Sequence, residues 1–132
     1  MALVPSLFSQ DLWAVLKKHD SAIVDKMNKP NKLVVISSSN CGYCKIALES
    51  IQQVKYDLDI IIVEYGTKTE LKSLQAKYSY VFFDGNKVDG LETQNFFPKL
   101  YLYNSKDKLI WKRAGWFEKN IDKIKSNIQP IY

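Results

Sequence analysis

A short apolar run that leads into a pair of cysteines constrains the fold of this chain more than any other feature. Residues 33–36 are Leu-Val-Val-Ile, and Cys41 and Cys44 follow them after a polar stretch. The segment from Cys44 to about Val54 has helical periodicity. A β-branched run followed by a helical pattern predicts a strand that turns into a helix, with both cysteines at the turn.

The predicted position suits redox chemistry. The first turn of a helix offers free backbone N–H groups and the positive end of the helix dipole, which favour a thiolate over a thiol. Cys41 is therefore the candidate nucleophile. Because only Gly42 and Tyr43 separate the cysteines, Cys44 can reach back and close a disulfide, so the pair can cycle between dithiol and disulfide.

Three other roles for the cysteines fit less well. A structural zinc site needs four ligands, whereas the chain has two cysteines and one histidine, His19, on a different predicted element. Covalent haem attachment needs a histidine directly after the second cysteine, where the chain has Lys45. An inert disulfide over so short a loop would stabilise the fold weakly. We therefore expect no metal and no cofactor.

Composition indicates one globular domain. The chain has 132 residues, of which 46% are hydrophobic, and it has no apolar run long enough to span a membrane. Its net charge of +5 comes from lysines that are spread along the sequence, which indicates a solvated surface and not a nucleic-acid interface. Met1–Gln10 does not have the pattern of a secretory signal, so we expect either a cytosolic protein or a leader upstream of Met1.

The remaining elements alternate along the chain. An apolar run at 59–65 predicts a buried parallel strand, and residues 80–97 carry two turn signals that suggest a short hairpin and a loop. The other predicted elements are a helix over 6–18 capped by Ser6 or Ser9, a strand over 32–37, a helix from Thr67 or Thr69 to Tyr78, strands over 99–103 and 109–114, and a helix over 117–128.

This order, with Cys41-Gly42-Tyr43-Cys44 and with Phe97-Pro98 before a hairpin, resembles the thioredoxin fold from about residue 32 to residue 129. The resemblance implies an α/β fold of three layers, α/β/α, around a mixed central sheet. It divides the single domain, 1–132, into a helical extension over 1–31, the common fold, and an insertion over 80–97. It also implies a cis peptide bond before Pro98, which would lie against the cysteines.

The function that the resemblance implies is thiol-disulfide exchange on protein disulfides, of the reductase or isomerase type. Catalysis would use Cys41 and Cys44, and substrate would bind at Phe97, Pro98, Gly42 and Tyr43. Protein substrates and a redox partner that recycles the cysteines are the expected partners, without nucleic acid or membrane insertion; the sequence does not indicate an oligomeric state. The alternative is an adaptor without enzyme activity that docks a partner through the Pro98 surface and the insertion.

Two departures from thioredoxins shape the remaining expectations. The buried Asp and the Trp that thioredoxins carry before the motif are replaced by Val35 and Asn40, and Glu64 is either a substitute acid or, more simply, a solvated strand end. Gly42-Tyr43 is similar to the dipeptide of bacterial periplasmic disulfide isomerases and related reductases. These features favour a more oxidising potential than that of thioredoxin, and the bacterial cell envelope over the cytoplasm.

Overall fold

A mixed β-sheet forms the centre of the molecule. The computed structural model describes residues 11–54, 57–91 and 97–128, and within them the sheet has five strands in the order β3-β2-β1-β4-β5. Its first three strands are parallel, and β4 and β5 run antiparallel to their neighbours. The strands are β1 (Asn31–Ser37), β2 (Leu58–Glu64), β3 (Val81–Asp84), β4 (Lys99–Tyr103) and β5 (Leu109–Ala114).

Helices cover both faces of the sheet. Buried Leu12, Trp13 and Leu16 place α1 against one face, and buried Ala47, Leu48 and Ile124 place α3 and α5 against the other. The helices are α1 (Leu12–His19), α2 (Ser21–Asp25), α3 (Gly42–Ile51), α4 (Lys68–Lys77) and α5 (Asn120–Asn127). The predicted three-layer α/β/α fold is therefore confirmed. No helix in the described part of the chain is long and apolar enough to cross a membrane.

The two central strands explain why their sequences are continuously apolar. Successive side chains of a strand point to opposite faces. In β1, Leu33 and Val35 belong to the core on the α3 side, whereas Val34 and Ile36 belong to the core on the α1 side. Since both faces are covered, every side chain from residue 33 to residue 36 is buried. This confirms the parallel β1-α3-β2 unit that the sequence predicts.

Most element boundaries lie within a few residues of the prediction. The first helix ends at His19, but its N-cap is Asp11; the predicted caps Ser6 and Ser9 lie outside the described residues. Thr67 caps α4, and Glu70 bonds back to the Thr67 N–H, so the two complete a capping box. The last helix begins at Asn120, three residues later than predicted.

The predicted hairpin at residues 80–97 is wrong in its described part. Val81–Asp84 forms β3, which pairs in parallel with β2 at the edge of the sheet. Phe82 packs toward one core and Phe83 toward the other, so burial on both faces determines this pairing. The Asp84-Gly85-Asn86 turn signal marks a short 3-10 helix, Gly85–Lys87, which Asp84 caps. The division of the chain into an extension, a common fold and an insertion stays a prediction.

Candidate active site

Cys41 caps the N-terminus of α3. Its sulfur accepts a hydrogen bond of 3.3 Å from the N–H of Cys44, and its own N–H donates to the carbonyl of Ser38 at 3.0 Å. The side chain is partly exposed. The Cys41 sulfur therefore lies at the N-terminus of a 10-residue helix and accepts one of its free backbone N–H groups.

The thiol of Cys41 lies next to the chain that precedes β4. It donates a hydrogen bond to the carbonyl oxygen of Phe97, with a sulfur–oxygen distance of 3.4 Å, and the Phe97–Pro98 peptide bond is cis. The Pro98 carbonyl accepts a 2.7 Å bond from the N–H of Gly115, whose φ of 89° suits a glycine. Cys41 and Phe97, which are 56 positions apart, thus meet where β1 ends and β4 begins.

The side chain of Phe97 is committed to packing. Its ring lies against the ring of Tyr65, with the centroids 5.8 Å apart, and it is half-buried. Burial raises the pKa of the Tyr65 hydroxyl above its ordinary value. The part of Phe97 that contacts Cys41 is therefore its backbone carbonyl. Tyr65 was not predicted as part of the site. Its position directly after the polar end of an apolar strand was the feature that could have indicated it.

Gly42 and Tyr43 lie on the open side of the cysteines. Tyr43 is 64% exposed, and Ile46, one helical turn further along, is 51% exposed. A Cβ at Gly42 would meet no atom within 4 Å. These residues form an apolar surface beside Cys41, defined here as the Tyr43–Ile46 surface. Contact of Gly42, Tyr43, Phe97 and Pro98 with substrate stays a prediction.

Cys44 has a different environment from Cys41. Only 1% of it is exposed, and the two cysteines are not joined by a disulfide. Burial, followed by the hydrogen bond with Cys41, raises the pKa of the Cys44 thiol from 9.0 to about 12. At neutral pH this group is a thiol. A hydrogen bond with the Ser37 side chain acts in the opposite direction, because it favours the thiolate.

Glu64 is buried, so its interpretation as a solvated strand end is wrong. Only 1% of Glu64 is exposed, and its two oxygens accept hydrogen bonds from Ser37 Oγ at 2.7 Å and from Ser39 Oγ at 2.8 Å. The alternation of β2 could have revealed this, because Glu64 continues the face of Ile60 and Ile62, which pack into the core.

Other candidate ligands lie apart from the cysteines. The ring of His19 packs against Phe83, with the centroids 6.1 Å apart, on the α1 side of the sheet. No group of three or more His, Cys, Asp or Glu side chains in the described ranges could hold a metal ion.

Comparison with known proteins identifies the fold. No protein-family model and no curated protein matches the sequence. Among solved structures, the chain is similar to a Chlorobium tepidum protein assigned as a thiol:disulfide interchange protein DsbE, with a TM-score of 0.62 and 13% identity over 79% of this chain and 81% of that one. An exposed lipoprotein thioredoxin of Streptococcus pneumoniae gives a TM-score of 0.53 and 16% identity over 79% of this chain and 89% of that one.

A third similar structure is a thioredoxin-related protein of Neisseria meningitidis serogroup B. It has a TM-score of 0.54 and 14% identity, and the match covers 79% of this chain and 86% of that chain. These identities are low enough that the likeness concerns the fold alone. The fold of this chain is thioredoxin-like, with a Cys-x-x-Cys pair at the N-terminus of α3.

Proposed function

We propose that this chain, whose fold is thioredoxin-like, is a thiol-disulfide oxidoreductase that acts on protein disulfides, of the reductase or isomerase type. The observation that carries the proposal is the asymmetry of the pair. Cys41 is partly exposed at a helix N-cap, 3.4 Å from the Phe97 carbonyl, whereas Cys44 is buried one turn behind it. In this proposal, the sulfur of Cys41 attacks the substrate, and the sulfur of Cys44 reacts only with that of Cys41.

The exchange takes place in two steps. The thiolate of Cys41 attacks a substrate sulfur, a mixed disulfide forms, and the other substrate sulfur leaves as a thiolate that takes up a proton. Cys44 then loses its proton and attacks the Cys41 sulfur, which breaks the mixed disulfide and releases the second substrate thiol. The cysteine pair gives up two electrons and the substrate disulfide gains them. In an isomerase, another thiol of the substrate would instead attack the mixed disulfide. This forms a new disulfide within the substrate and releases Cys41.

The surroundings of Cys41 support a protein substrate. Backbone next to the thiol can pair with an extended segment, which gives affinity without demanding one side chain. The Tyr43–Ile46 surface adds exposed apolar area at the same edge. In this proposal, the chain before Pro98 aligns the substrate backbone and the Tyr43–Ile46 surface contacts its side chains.

A partner must recycle the pair after each reduction. The exposed lipoprotein thioredoxin among the structural neighbours supports an extracytoplasmic location, as the Gly42-Tyr43 dipeptide does. We expect a membrane-borne electron donor at the cell envelope. Cell fractionation tests the location: a cytosolic distribution of the native protein would favour a thioredoxin-type reductase that uses the same residues.

Insulin reduction in the presence of dithiothreitol tests the activity. The wild-type protein should accelerate precipitation of the insulin B chain, and refolding of a scrambled disulfide protein distinguishes an isomerase from a reductase. Cys41→Ser is the matched negative control. Wild-type protein that accelerates neither reaction would contradict the proposal.

The reduction potential tests the direction of electron flow. We expect a potential more oxidising than about −270 mV, the thioredoxin benchmark. Equilibration with glutathione buffers, read by alkylation and mass spectrometry, measures it. A value at or below that benchmark would favour a general reductase.

An adaptor without enzyme activity is the second candidate, and the exposure of Tyr43 and Ile46 favours it. In that case a Cys41→Ser, Cys44→Ser double variant would still capture its partner. Loss of capture in the double variant, with capture by Cys44→Ser, would support the redox function.

A further inference from the structure

A groove lies between β5 and α5, on the side of the sheet that α3 covers. It has a volume of about 410 Å³ and is lined by side chains of both elements and of the turn between them. Trp111 and Arg113 are opposite Leu102 and Leu100 in the β4–β5 pairing, and both leucines belong to the core under α3 and α5. Because paired residues of neighbouring strands share a face, the groove opens on the same face as α3.

The lining of the groove carries a positive charge. Arg113, Lys119 and Lys123 line it, and all three are exposed. Among the described residues, the ion pairs are formed by other lysines, and these three cations take part in none. One acidic side chain, Glu118, also lines the groove, so the cations outnumber it. A cluster of cations without matching carboxylates attracts an anionic partner.

Two aromatic side chains give the groove an apolar part and orient one of its cations. Phe117 is 49% exposed, although large apolar side chains are usually buried. The guanidinium of Arg113 lies 4.4 Å from the centre of the Phe117 ring. A guanidinium that stacks on a ring keeps its N–H donors in its own plane, where they can bind a carboxylate through two parallel hydrogen bonds. Trp111 extends the apolar lining.

The turn between β5 and α5 is held in place by hydrogen bonds. Gly115 has a φ of 89°, and a Cβ there would lie 3.2 Å from the Phe117 ring, so glycine lets the ring lie close to the turn. The buried Asn120 donates from its side chain to the Gly115 carbonyl at 3.2 Å, and from its N–H to the Phe117 carbonyl at 2.9 Å. The groove is therefore formed before any ligand binds, which lowers the cost of binding.

The groove is close to the candidate active site. Because β1 and β5 are both antiparallel to β4, β5 ends at the edge of the sheet where Cys41 follows β1. Gly115, in the turn after β5, donates its N–H to the Pro98 carbonyl at 2.7 Å. The preceding carbonyl, that of Phe97, accepts from the Cys41 thiol. An extended chain advances about 3.3 Å per residue, so a segment bound at Cys41 reaches the groove within about five residues.

We propose that this groove binds an acidic segment of the protein substrate, close in sequence to the cysteine that Cys41 attacks, an inference that rests on the proposed function. The carboxylates of the segment pair with the three cations, and its apolar side chains contact the two aromatic rings. The backbone at Pro98 leads from Cys41 to the groove, so a continuous polypeptide fits this arrangement better than a small anion does. The substrate class is therefore proteins with Asp or Glu near a disulfide cysteine.

Reduction of matched disulfide peptides tests this inference. In each peptide pair, one disulfide joins a chain with a fluorophore to a chain with a quencher, so reduction restores fluorescence. The first pair has three aspartates directly after a cysteine, the second has asparagines at those positions, and the third has the aspartates far from the cysteine. Dithiothreitol recycles the protein, and initial rates give kcat and KM separately.

We expect the KM of the wild-type protein for the acidic peptide to be about tenfold below that for the asparagine peptide, the size expected of three exposed charge pairs. The two kcat values should be equal, because the reacting sulfurs are the same. At about 1 M salt, where the Debye length falls to about 3 Å, the two KM values should also become equal. The peptide with distant aspartates should behave like the asparagine peptide.

Variants of the groove locate the preference. The triple variant Arg113→Gln, Lys119→Gln, Lys123→Gln should lose it. Reversal of two charges, Lys119→Glu with Lys123→Glu, should produce a preference for a peptide with lysines in place of the aspartates, a result that a misfolded protein cannot give. The matched control removes the same charge from exposed positions outside the groove and should keep the preference: Lys68→Gln, Lys72→Gln and Lys106→Gln.

Equal KM values of the wild-type protein for the acidic and asparagine peptides would overturn this inference and leave the proposed function intact. A preference that the groove variant retains would do the same. Wild-type protein that shows no preference but binds adenosine monophosphate would assign the groove to a small aromatic anion instead. Wild-type protein that reduces none of the peptides would overturn the proposed function, and this inference with it.

Discussion

The candidate site has an exposed half around Cys41 and a buried half around Cys44, and different kinds of groups surround the two sulfurs. Around Cys41 the contacts are made by backbone: the Cys44 N–H, the Phe97 carbonyl and the end of a helix. Cys44 is buried against the core, and the nearby Ser37 hydroxyl, which acts to lower the pKa of Cys44, donates a hydrogen bond to Glu64. Backbone groups can bind many different substrates, whereas the buried side chains surround one atom, the sulfur of Cys44. The exposed half therefore suits recognition of a substrate, and the buried half keeps Cys44 a neutral thiol away from the solvent.

Removing either sulfur should have the largest effect, and the two losses should differ. Cys41→Ser should abolish insulin reduction, because Cys44, the other cysteine of the chain, is buried. Cys44→Ser should abolish turnover but still attack the substrate, leaving a mixed disulfide that mass spectrometry detects. Turnover by Cys44→Ser at the wild-type rate would contradict the division between the halves.

Alkaline pH should destabilise the reduced protein through its buried half. Because folding raises the pKa of Cys44 from 9.0 to about 12, the folded state favours the neutral thiol. That contribution to stability is present below about pH 9 and is lost as the pH rises toward 12. Thermal unfolding at pH 8 and pH 11 should show a larger drop for Cys41→Ser than for Cys44→Ser.

Comparing the two variants removes the contribution of other groups that titrate between pH 8 and pH 11. Burial also raises the pKa of Tyr103 to about 12, but both variants retain this tyrosine. An equal drop for the two variants would show that Cys44 is not held neutral by its surroundings.

Gly66→Ala should disturb the buried half without touching the exposed one. A Cβ at Gly66 would lie 2.7 Å from a Glu64 oxygen and 2.8 Å from Ser39 Oγ, so the carboxylate must shift. We expect a loss of about 1–2 kcal/mol in the free energy of unfolding by urea. An unchanged free energy of unfolding would show that the side chains around Gly66 adjust without cost.

Gly42→Ala should have the smallest effect and the opposite sign. The first position of α3 is open, with nothing within 4 Å of the added Cβ, and alanine favours the helix. We expect a gain of about 0.5 kcal/mol in urea unfolding of the reduced protein. A loss of stability would mean that the turn at Cys41 requires glycine.

The exposed half could be predicted from sequence because local patterns determine it. The pattern of a strand, two cysteines and a helical period predicts that Cys41 lies at a helix end. The resemblance to thioredoxins implies that Pro98, 57 residues later, lies next to it. The helix cap at Thr67 was equally legible, since a threonine followed by a glutamate three residues later is a capping box.

The pairing of Ser37 with Glu64 could not be predicted because it depends on register. Ser37 and Glu64 meet only if two strands 27 residues apart align at their last positions, which no local pattern states. The interpretation of Glu64 as solvated treated it as an isolated strand end. The same holds for residues 81–84, because their turn signals are local, whereas their pairing with β2 depends on a strand that ends 17 residues earlier.

Alkylation of the reduced protein measures directly whether the two cysteines differ in reactivity. A limiting amount of iodoacetamide at pH 7, followed by peptide mass spectrometry, gives a separate rate for each sulfur, with glutathione as the reference thiol. We expect Cys41 to be modified faster than glutathione and Cys44 to stay unmodified until the protein unfolds. Equal rates for the two cysteines, or a Cys41 slower than glutathione, would contradict it.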